Sequence, residues 1–326
     1  MELRQLRYFL AIAEHGSFSK AAGSVHVAQS ALSHQLAQLE DELGQALFQR
    51  LPRGVELTPA GRAFHPHALS ILRQVDDARN SVTQAEGEIV GKVIFGIPHS
   101  VSQALALPLL KAVRSALPRV ELELTEELTG NLIPQLRTGL IHLAVLFDDG
   151  QLDEFRCHPL LEEALLLISS ADAADAPGSP ISLRDALRLP LILPASPHGV
   201  RPIIEATAKR AGLAAPNVVA DISSISILRT SLLAGLGHTL LPPMPMQREL
   251  ERGELRAVPI APEPLTRRVV LCASRHIPAS AATLAVARVV HTLVDQLCRD
   301  GSWQEGNLIA TAQRLFIESE INGRTS

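Results

Sequence analysis

The chain has 326 residues, 46% of them hydrophobic and 20% charged, which suits two or three domains and excludes global disorder. Its net charge of −4 and pI near 6.3 exclude a broad positive field that would attract nucleic acid. The three cysteines lie far apart in the sequence, so neither a disulfide framework nor a cysteine metal site is expected. Because neither a secretion signal nor an apolar run of ~18 residues is visible, we expect a cytoplasmic protein without a membrane partner.

The N-terminal segment predicts three short helices. Apolar residues recur at helical spacing from Leu3 to Ala13, Gly16 ends this first helix, and Ser17 is a favourable N-cap for the second. A turn near residues 25–27 then precedes a third helix. The apolar stripe predicted for this third helix comprises Leu32, Leu36, Leu39 and Leu43.

The other face of the third helix is polar. Its residues are Gln29, Ser30, Ser33, His34, Gln35 and Gln38. Gln and Ser side chains can donate to and accept from base edges and phosphates, so this face is a candidate for reading DNA. Ordinary helical bundles show the same pattern, and the pattern alone leaves both interpretations open.

A β-hairpin is predicted around Pro52–Gly54, with Arg50 and Arg53 near its tip. Two arginines beside a candidate recognition helix suit backbone phosphates or the minor groove, whereas a solvated loop is the simpler alternative. Residues 1–72 carry six basic and six acidic side chains. If this segment binds DNA, a few well-placed cations must therefore do it.

Thr58 and Pro59 predict the N-cap and first position of a long helix. Apolar residues then repeat in a heptad pattern typical of helix pairing. They are Ala68, Ile71, Val75, Ala78 and Val82. Such a helix would pair two DNA-binding heads at fixed spacing.

Several short segments in this order resemble a known family. They are Leu6-Arg7-Tyr8-Phe9, Gly16-Ser17-Phe18, Ala21-Ala22, Gln29-Ser30-Ala31-Leu32-Ser33, Leu39-Glu40-Asp41-Glu42-Leu43-Gly44, Leu47-Phe48-Gln49-Arg50 and Leu57-Thr58-Pro59-Ala60-Gly61. Residues 1–90 thereby resemble the winged helix-turn-helix of LysR-type transcriptional regulators, and Val27-Ala28-Gln29 is similar to the nitrogen-assimilation-control branch. Two positions depart from the family pattern. Ala28 stands where the family usually has a capping Ser, and His34 stands where it often has Arg, which weakens contacts to phosphate or guanine at neutral pH.

Beyond residue 90 the pattern changes to alternating strands and helices. We expect strands near residues 92–97, 120–125 and 143–147, with helices near 103–115 and 131–138 between them. A second series runs from about residue 164 to 241, followed by a strand at 267–273 and a helix at 281–297. This order predicts two α/β lobes, each a mostly parallel sheet with helices on both faces.

Ligands of such sheets bind beyond the carboxyl ends of the strands, between the lobes. The candidate ligand contacts are His99, Ser100, Val101, Ser102, Thr129, Phe147, Pro197, His198 and Ser223. Several lie at helix starts, where free backbone N–H groups favour an anion. The serines as plain helix caps and the histidines as surface residues are the alternatives.

The resemblance implies an α/β protein with an N-terminal all-α winged helix-turn-helix, a linker helix and a two-lobed, periplasmic-binding-protein-like effector domain. The expected divisions are a DNA-binding domain at 1–58, a linker and dimerisation helix at 59–90, an effector-binding domain at 91–300, and a C-terminal extension at 301–326. Within the effector domain, lobe I would comprise about 91–161 and 267–300, and lobe II about 162–266.

The resemblance further implies a sequence-specific regulator controlled by a small molecule. Its expected partners are double-stranded DNA, an effector such as a carboxylate or another metabolite, a second copy in a homodimer or homotetramer, and RNA polymerase if it is an activator. The sequence shows no catalytic motif, metal-ligand spacing or cofactor fingerprint, so we expect no enzyme, no metal and no cofactor. The alternative is a cytosolic small-molecule-binding or enzyme-like α/β protein with an N-terminal interaction module.

Overall fold

The computed structural model describes residues 1–52, 54–83, 88–173, 178–195 and 199–309, with backbone alone for 81–83. The chain divides into an N-terminal unit, Met1–Glu88, and a larger unit from Ile89 onward; Thr138–Leu140 group with the N-terminal unit.

The N-terminal unit begins with the three expected helices. They are α1 (Leu3–His15), α2 (Phe18–Ser24) and α3 (Gln29–Leu43). Gly16 ends α1 in the left-handed region at φ 59°, and the Ser17 hydroxyl accepts the Lys20 N–H to cap α2. The apolar stripe of α3 is buried except at Leu43, which is 39% exposed because it lies in the last turn, beyond the packed core.

The hairpin and the long helix follow as predicted. Strands β1 (Phe48–Leu51) and β2 (Gly54–Leu57) pair antiparallel, and α4 spans Pro59–Thr83. The Phe9 ring lies 5.3 Å from Phe48 and 5.2 Å from Phe64, which joins α1, the hairpin and α4 in one aromatic cluster.

The side chains at the heptad positions of α4 become more exposed from the start of the helix toward its end. Ala68 is buried, Ile71 and Val75 are half-buried, Ala78 is exposed, and the side chain of Val82 lies outside the described residues.

The larger unit begins with lobe I, built on a six-stranded sheet. Its strands are β3 (Gly91–Pro98), β4 (Val120–Glu127), β5 (Leu143–Asp148), β6 (Phe155–Ala164), β12 (Thr266–Ser274) and β13 (Gly306–Leu308). Its helices are α5 (His99–Ala116), α6 (Thr129–Thr138) and α11 (Ala281–Arg299). Across the sheet the order is β13-β6-β12-β5-β3-β4, with one apolar core on each face.

The prediction of a mostly parallel sheet is wrong. Strand β3 pairs parallel with β4 and β5, whereas β12 is antiparallel to both β5 and β6, and β13 is antiparallel to β6. The physical reason is that β12 returns from lobe II and enters between β5 and β6, running against both. This arrangement also sets Cys157 opposite Cys272 on neighbouring strands, although their positions in the sequence suggested no proximity; both remain free thiols.

Lobe II lies between β6 and β12 in the chain. Its strands are β7 (Leu166–Ser170), β8 (Leu191–Leu193), β9 (Val218–Asp221), β10 (Thr239–Leu241) and β11 (Leu255–Val258). Its helices are α7 (Leu183–Ala186), α8 (Arg201–Arg210), α9 (Ile225–Leu233) and α10 (Gln247–Glu251), with a 3-10 turn at Met244–Met246. Strand β7 is flanked by β10 and β11, and β8 pairs parallel with β9. A separate apolar core fills this lobe.

Two chain crossings connect the lobes. The first follows Ala164, at the end of β6, and the second precedes Thr266, at the start of β12. The Leu165 N–H donates to the Leu265 carbonyl over 2.7 Å, so the two crossings run side by side. A bend between the lobes would act at this paired segment.

Helix α11 is, within the described residues, the single helix long and apolar enough to cross a membrane. Its Val286, Val290 and Val294 are buried in the core of lobe I. The same composition is typical of a core helix, and packing accounts for it here.

Candidate nucleic-acid interface and ligand cleft

Helix α3 presents its polar residues away from the core, as the helical spacing predicts. Gln29, Ser30, His34 and Gln38 are exposed, whereas Ser33 is half-buried. Gln35 is also half-buried, and its amide donates to the Gln38 side chain over 3.0 Å. This bond joins two of the candidate base-reading amides on the helix surface.

A groove of about 540 Å³ lies between the start of α2, α3 and the hairpin. Ser17, Gln29, Ser33 and Arg50 contribute to its lining. Ser19 is a fifth hydrogen-bond donor in this groove, and the Glu40 carboxylate also lines it. Of the five donors, Gln29, Ser33 and Arg50 are among the predicted DNA contacts. Arg53 lies outside the described residues.

Backbone contacts position the hairpin against the helices. The Val55 N–H donates to the Gly16 carbonyl over 3.0 Å. The Glu40 carboxylate on α3 accepts the N–H groups of Leu47 and Phe48 over 2.6 and 3.3 Å. The Glu40 side chain thus joins α3 to the main chain at the start of the hairpin that carries Arg50, and the Val55–Gly16 bond joins the hairpin to the end of α1.

The start of α3 lacks a side-chain cap, as the substitution at this position predicts. Ala28 occupies the N-cap with φ −67° and ψ 138°, and no side chain accepts a hydrogen bond there. The first N–H groups of α3 are consequently available to an external acceptor such as a phosphate oxygen.

In the larger unit a narrow cleft lies between the lobes. The cavity at its base holds about 30 Å³, room for about two water molecules. Five predicted contacts line this cavity: His99, Ser100, Thr129, Phe147 and Ser223. The sequence therefore brings together residues from both lobes, separated by more than a hundred positions.

Other predicted contacts lie elsewhere. Val101 is fully buried in the core of lobe I because α5 begins at His99, four residues earlier than expected. The Ser102 hydroxyl lies within hydrogen-bond distance of the His99 carbonyl, at 3.1 Å, and of the Glu126 carboxylate, and its single proton can be donated to either. Pro197 and His198 lie outside the described residues.

The cleft also contains a charged pair that sequence reasoning missed. Arg267, at the start of β12, is 2% exposed and lines the cavity, with its guanidinium carbon 3.9 Å from the centre of the Phe147 ring. Its Nε donates to Glu163 Oε1 over 2.6 Å. Burial lowers the pKa of the Arg267 guanidinium, and the adjacent Glu163 carboxylate opposes that effect. The available signal was Arg267, one of two adjacent arginines at the start of an otherwise apolar strand.

The other polar groups of the cleft are arranged by local contacts. His99 Nδ1 lies 3.2 Å from the Glu126 carboxylate. The Ser223 hydroxyl accepts the Ala195 N–H over 3.3 Å. Among the described residues, no three His, Cys, Asp or Glu side chains cluster as metal ligands.

A second cavity, of about 220 Å³, lies where β5 and β6 begin and β12 ends, at the other end of these strands from the cleft. It is lined by the start of β6, the end of β12 and the first turns of α11, with Arg156 and Arg275 among its polar residues. Both guanidinium groups donate to main-chain carbonyls at this end of the strands, over 3.2 and 2.8 Å. This cavity was not predicted.

Comparison with known proteins agrees with both parts of this geometry. Residues 3–62 match the bacterial regulatory helix-turn-helix protein, lysR family, and residues 86–295 match the LysR substrate binding domain. The nitrogen assimilation regulatory protein nac of Klebsiella aerogenes is 35% identical over 243 residues, which cover 74% of this chain and 78% of that protein.

Solved structures share the architecture. Hydrogen-peroxide-bound OxyR of Corynebacterium glutamicum is 26% identical with a TM-score of 0.59, covering 92% of this chain and 96% of that one. Full-length OxyR from Pseudomonas aeruginosa shares the fold at a TM-score of 0.68 and 24% identity, covering 89% and 98%. With a helix-turn-helix head and a two-lobed domain that each match their family, this chain belongs to the LysR family of DNA-binding transcriptional regulators with an effector-binding domain.

Proposed function

We propose that the chain regulates transcription by reading an operator with the polar face of α3 and the hairpin, under the control of a ligand held between its lobes. The observation that carries the proposal is the groove in which Gln29, Ser33 and Arg50 meet. The proposed DNA contacts are Gln29, Ser30, Ser33, His34, Gln35, Gln38, Arg50 and Arg53.

Operator affinity tests the DNA contacts. We expect Gln29→Ala to weaken specific binding about tenfold, since a good base contact contributes about 1–3 kcal/mol of discrimination. The matched control is Gln45→Ala, because Gln45 is also an exposed glutamine and lies beyond the end of α3.

The salt dependence of binding separates base contacts from phosphate contacts. Arg50→Ala should reduce the slope of log affinity against log salt by about one, whereas Gln29→Ala should leave it unchanged. If Gln29→Ala and Ser33→Ala both bind the operator as tightly as the parent, α3 is not the reading helix.

We infer the domain limits 1–58, 59–90, 91–300 and 301–326, with lobe I at about 91–161 and 267–300 and lobe II at about 162–266. The half-buried Ile71 and Val75 on α4 favour pairing with a second copy into a homodimer or homotetramer. Sedimentation of Val75→Glu tests this, because a charge in a helix seam should shift the assembly toward monomer.

For the effector we propose the cavity between the lobes, with His99, Ser100, Thr129, Phe147 and Ser223 as contacts. The ligand changes the oligomer's arrangement only if it binds two arrangements with different affinity. Ser100→Ala should therefore reduce the ligand-dependent change in operator affinity while basal DNA binding persists. Ser115→Ala, at the exposed end of the same helix, is the control.

The chain is proposed to act in the cytoplasm by binding rather than by catalysis, and to contact RNA polymerase if it activates transcription. Its relatives are named as regulators, which supports this. Incubation of candidate effectors with the protein should return them chemically unchanged.

A further inference from the structure

Arg267 is a fully buried cation of which only one edge is paired. Its Nε donates to Glu163 Oε1 over 2.6 Å, and Nη2 lies 2.5 Å from the same oxygen. Nη2 makes this contact as an ion pair without hydrogen-bond geometry, and Nη1 has no hydrogen-bond partner among the described residues. Buried polar groups are rarely left in this state, so an unpaired guanidinium nitrogen on a residue that lines a cavity is a reason to look for a ligand.

A second unpaired group belongs to the same cavity. The Thr129 hydroxyl oxygen is also buried without a partner in the described part of the chain, and Thr129 and Arg267 both line the space between the lobes. Ser100 completes this wall from the first turn of α5, whose N-cap, Pro98, supplies no side-chain cap. The free N–H groups at such a helix start favour negative charge.

Glu163, the ion-pair partner of Arg267, is itself held by a residue that follows the segment matching the family model. The indole N–H of Trp303 donates to Glu163 Oε2 over 3.0 Å, and Trp303 is 2% exposed. Strand β13 pairs Gly306 with Glu163, whereas the family match ends at residue 295. The C-terminal extension thus occupies the Glu163 oxygen that Arg267 does not use and holds the carboxylate in position.

We propose that Arg267 is the anion-binding group of this cleft, that its ligand is a small organic carboxylate bridging Nη1 and the Thr129 hydroxyl, and that Trp303 positions Arg267 through Glu163. The inference rests on the proposed role of the cleft in effector binding. A planar guanidinium edge presents paired donors that suit a carboxylate. One protein carboxylate, that of Glu127, also lines the cavity. It accepts a hydrogen bond from the Asn131 side-chain amide over 3.0 Å.

The volume of the cavity places a condition on the ligand. About 30 Å³ holds about two water molecules, so any larger carboxylate requires the lobes to separate. Glu163 and Arg267 lie directly beside the paired crossings at Leu165 and Leu265, where such a movement would bend. Ligand binding at Nη1 therefore acts on the segment that sets the angle between the lobes.

The chain provides its own reporter, because Trp303 is its only tryptophan and its indole is bonded to Glu163. The experiment titrates the full-length protein at constant ionic strength with acetate, succinate and benzoate, each against its neutral amide. We expect at least one carboxylate to change the tryptophan emission saturably and to bind at least tenfold more tightly than its amide.

Variants locate the effect. Arg267→Gln should weaken the carboxylate at least tenfold, whereas Arg268→Gln should not, because Arg268 is the next residue on β12 and its side chain is 45% exposed. The double variant Glu163→Gln with Arg267→Gln removes both charges together, so loss of binding in that folded protein is not due to an unpaired buried carboxylate. Trp303→Phe, followed by ligand-induced thermal stabilisation, should weaken the same carboxylate, and Trp303→Tyr should restore part of the affinity.

Two results would overturn the proposal. One is an amide that binds as tightly as its carboxylate, and the other is the absence of a saturable response to every carboxylate tested. A different result would refute the proposed function of the cleft while leaving the anion site intact. If a carboxylate binds through Arg267 but leaves operator affinity unchanged, the anion site stands and its role as the effector site is refuted.

Discussion

Gly54 offers the sharpest test of how the hairpin is held. It has φ 132°, and a Cβ added there would lie 2.4 Å from the Gly16 carbonyl oxygen. Real Cβ contacts essentially never fall below 3.0 Å, so alanine must displace this backbone oxygen or the hairpin by at least 0.6 Å. The same oxygen accepts the Val55 N–H over 3.0 Å.

The cost of Gly54→Ala follows from these two effects. Backbone strain at this φ costs about 1–3 kcal/mol. The weakened Val55 bond costs about 1 kcal/mol, for an expected loss of about 2–4 kcal/mol in local stability. Amide hydrogen exchange of residues 48–57 in the full-length protein should therefore accelerate about 30- to 700-fold. Operator affinity should fall with it, because Arg50 moves with the hairpin.

Gly44→Ala is the matched control for backbone strain. Gly44 has φ 67°, but nothing lies within 4 Å of its added Cβ, so only about 1–2 kcal/mol of strain is expected, at the end of α3. If the Val55 amide exchanges as slowly in the Gly54→Ala variant as in the parent protein, the close approach of Gly54 to Gly16 does not hold the hairpin in place.

Three further predictions concern local stability and reactivity. Thr58→Ala should destabilise the N-terminal unit by about 1–2 kcal/mol in urea unfolding, because the hydroxyl donates to the Ala46 carbonyl and accepts the Gly61 N–H. An unchanged midpoint would contradict this. Ala28→Ser should raise the stability by about 0.5–1 kcal/mol by supplying the missing cap of α3; a gain should be absent in Ala28→Val. Burial raises the pKa of the Cys272 thiol, so this thiol should react with disulfide reagents at pH 8 only after urea unfolding, unlike the half-buried Cys157 and Cys298; rapid labelling of Cys272 itself in the native protein, located by peptide mapping, would refute it.

The helix boundaries of the N-terminal unit could be predicted because they depend on neighbouring residues. Gly16, Ser17 and Thr58 act on backbone groups within a few positions, and the structure confirms each of these caps. The start of α5 was predicted four residues late, because Pro98 at an N-cap leaves no side-chain signal for the helix behind it.

The sequence did not predict strand β6 or the buried Glu163–Arg267 pair, and the physical reason differs for each. Strand β6 contains Pro159 and two adjacent glutamates, so its sequence lacks the apolar alternation by which strands are recognised. Glu163 and Arg267 are 104 residues apart, and each reads as a surface charge until β12 is placed beside β6. Patterns of neighbouring residues do not tell which strands lie side by side in a sheet. The burial of Arg267 in the cleft depends on the position of β12 between β5 and β6, so the sequence could not predict it.

In the proposed effector cleft, the Glu163–Arg267 pair would connect a bound carboxylate to the crossings between the lobes. Removing one partner from a buried pair costs about 3–5 kcal/mol, so the pair resists separation when the lobes move. The unpaired Nη1, in contrast, is free to gain a bond in one arrangement and not in another. A ligand that gains about 1–3 kcal/mol more in the open arrangement shifts the equilibrium about 5- to 150-fold, the usual range of allosteric coupling. A hydrogen bond to a charged group lies within that range. One guanidinium edge beside the crossings at Leu165 and Leu265 is thus sufficient in energy to make the lobe angle depend on the ligand.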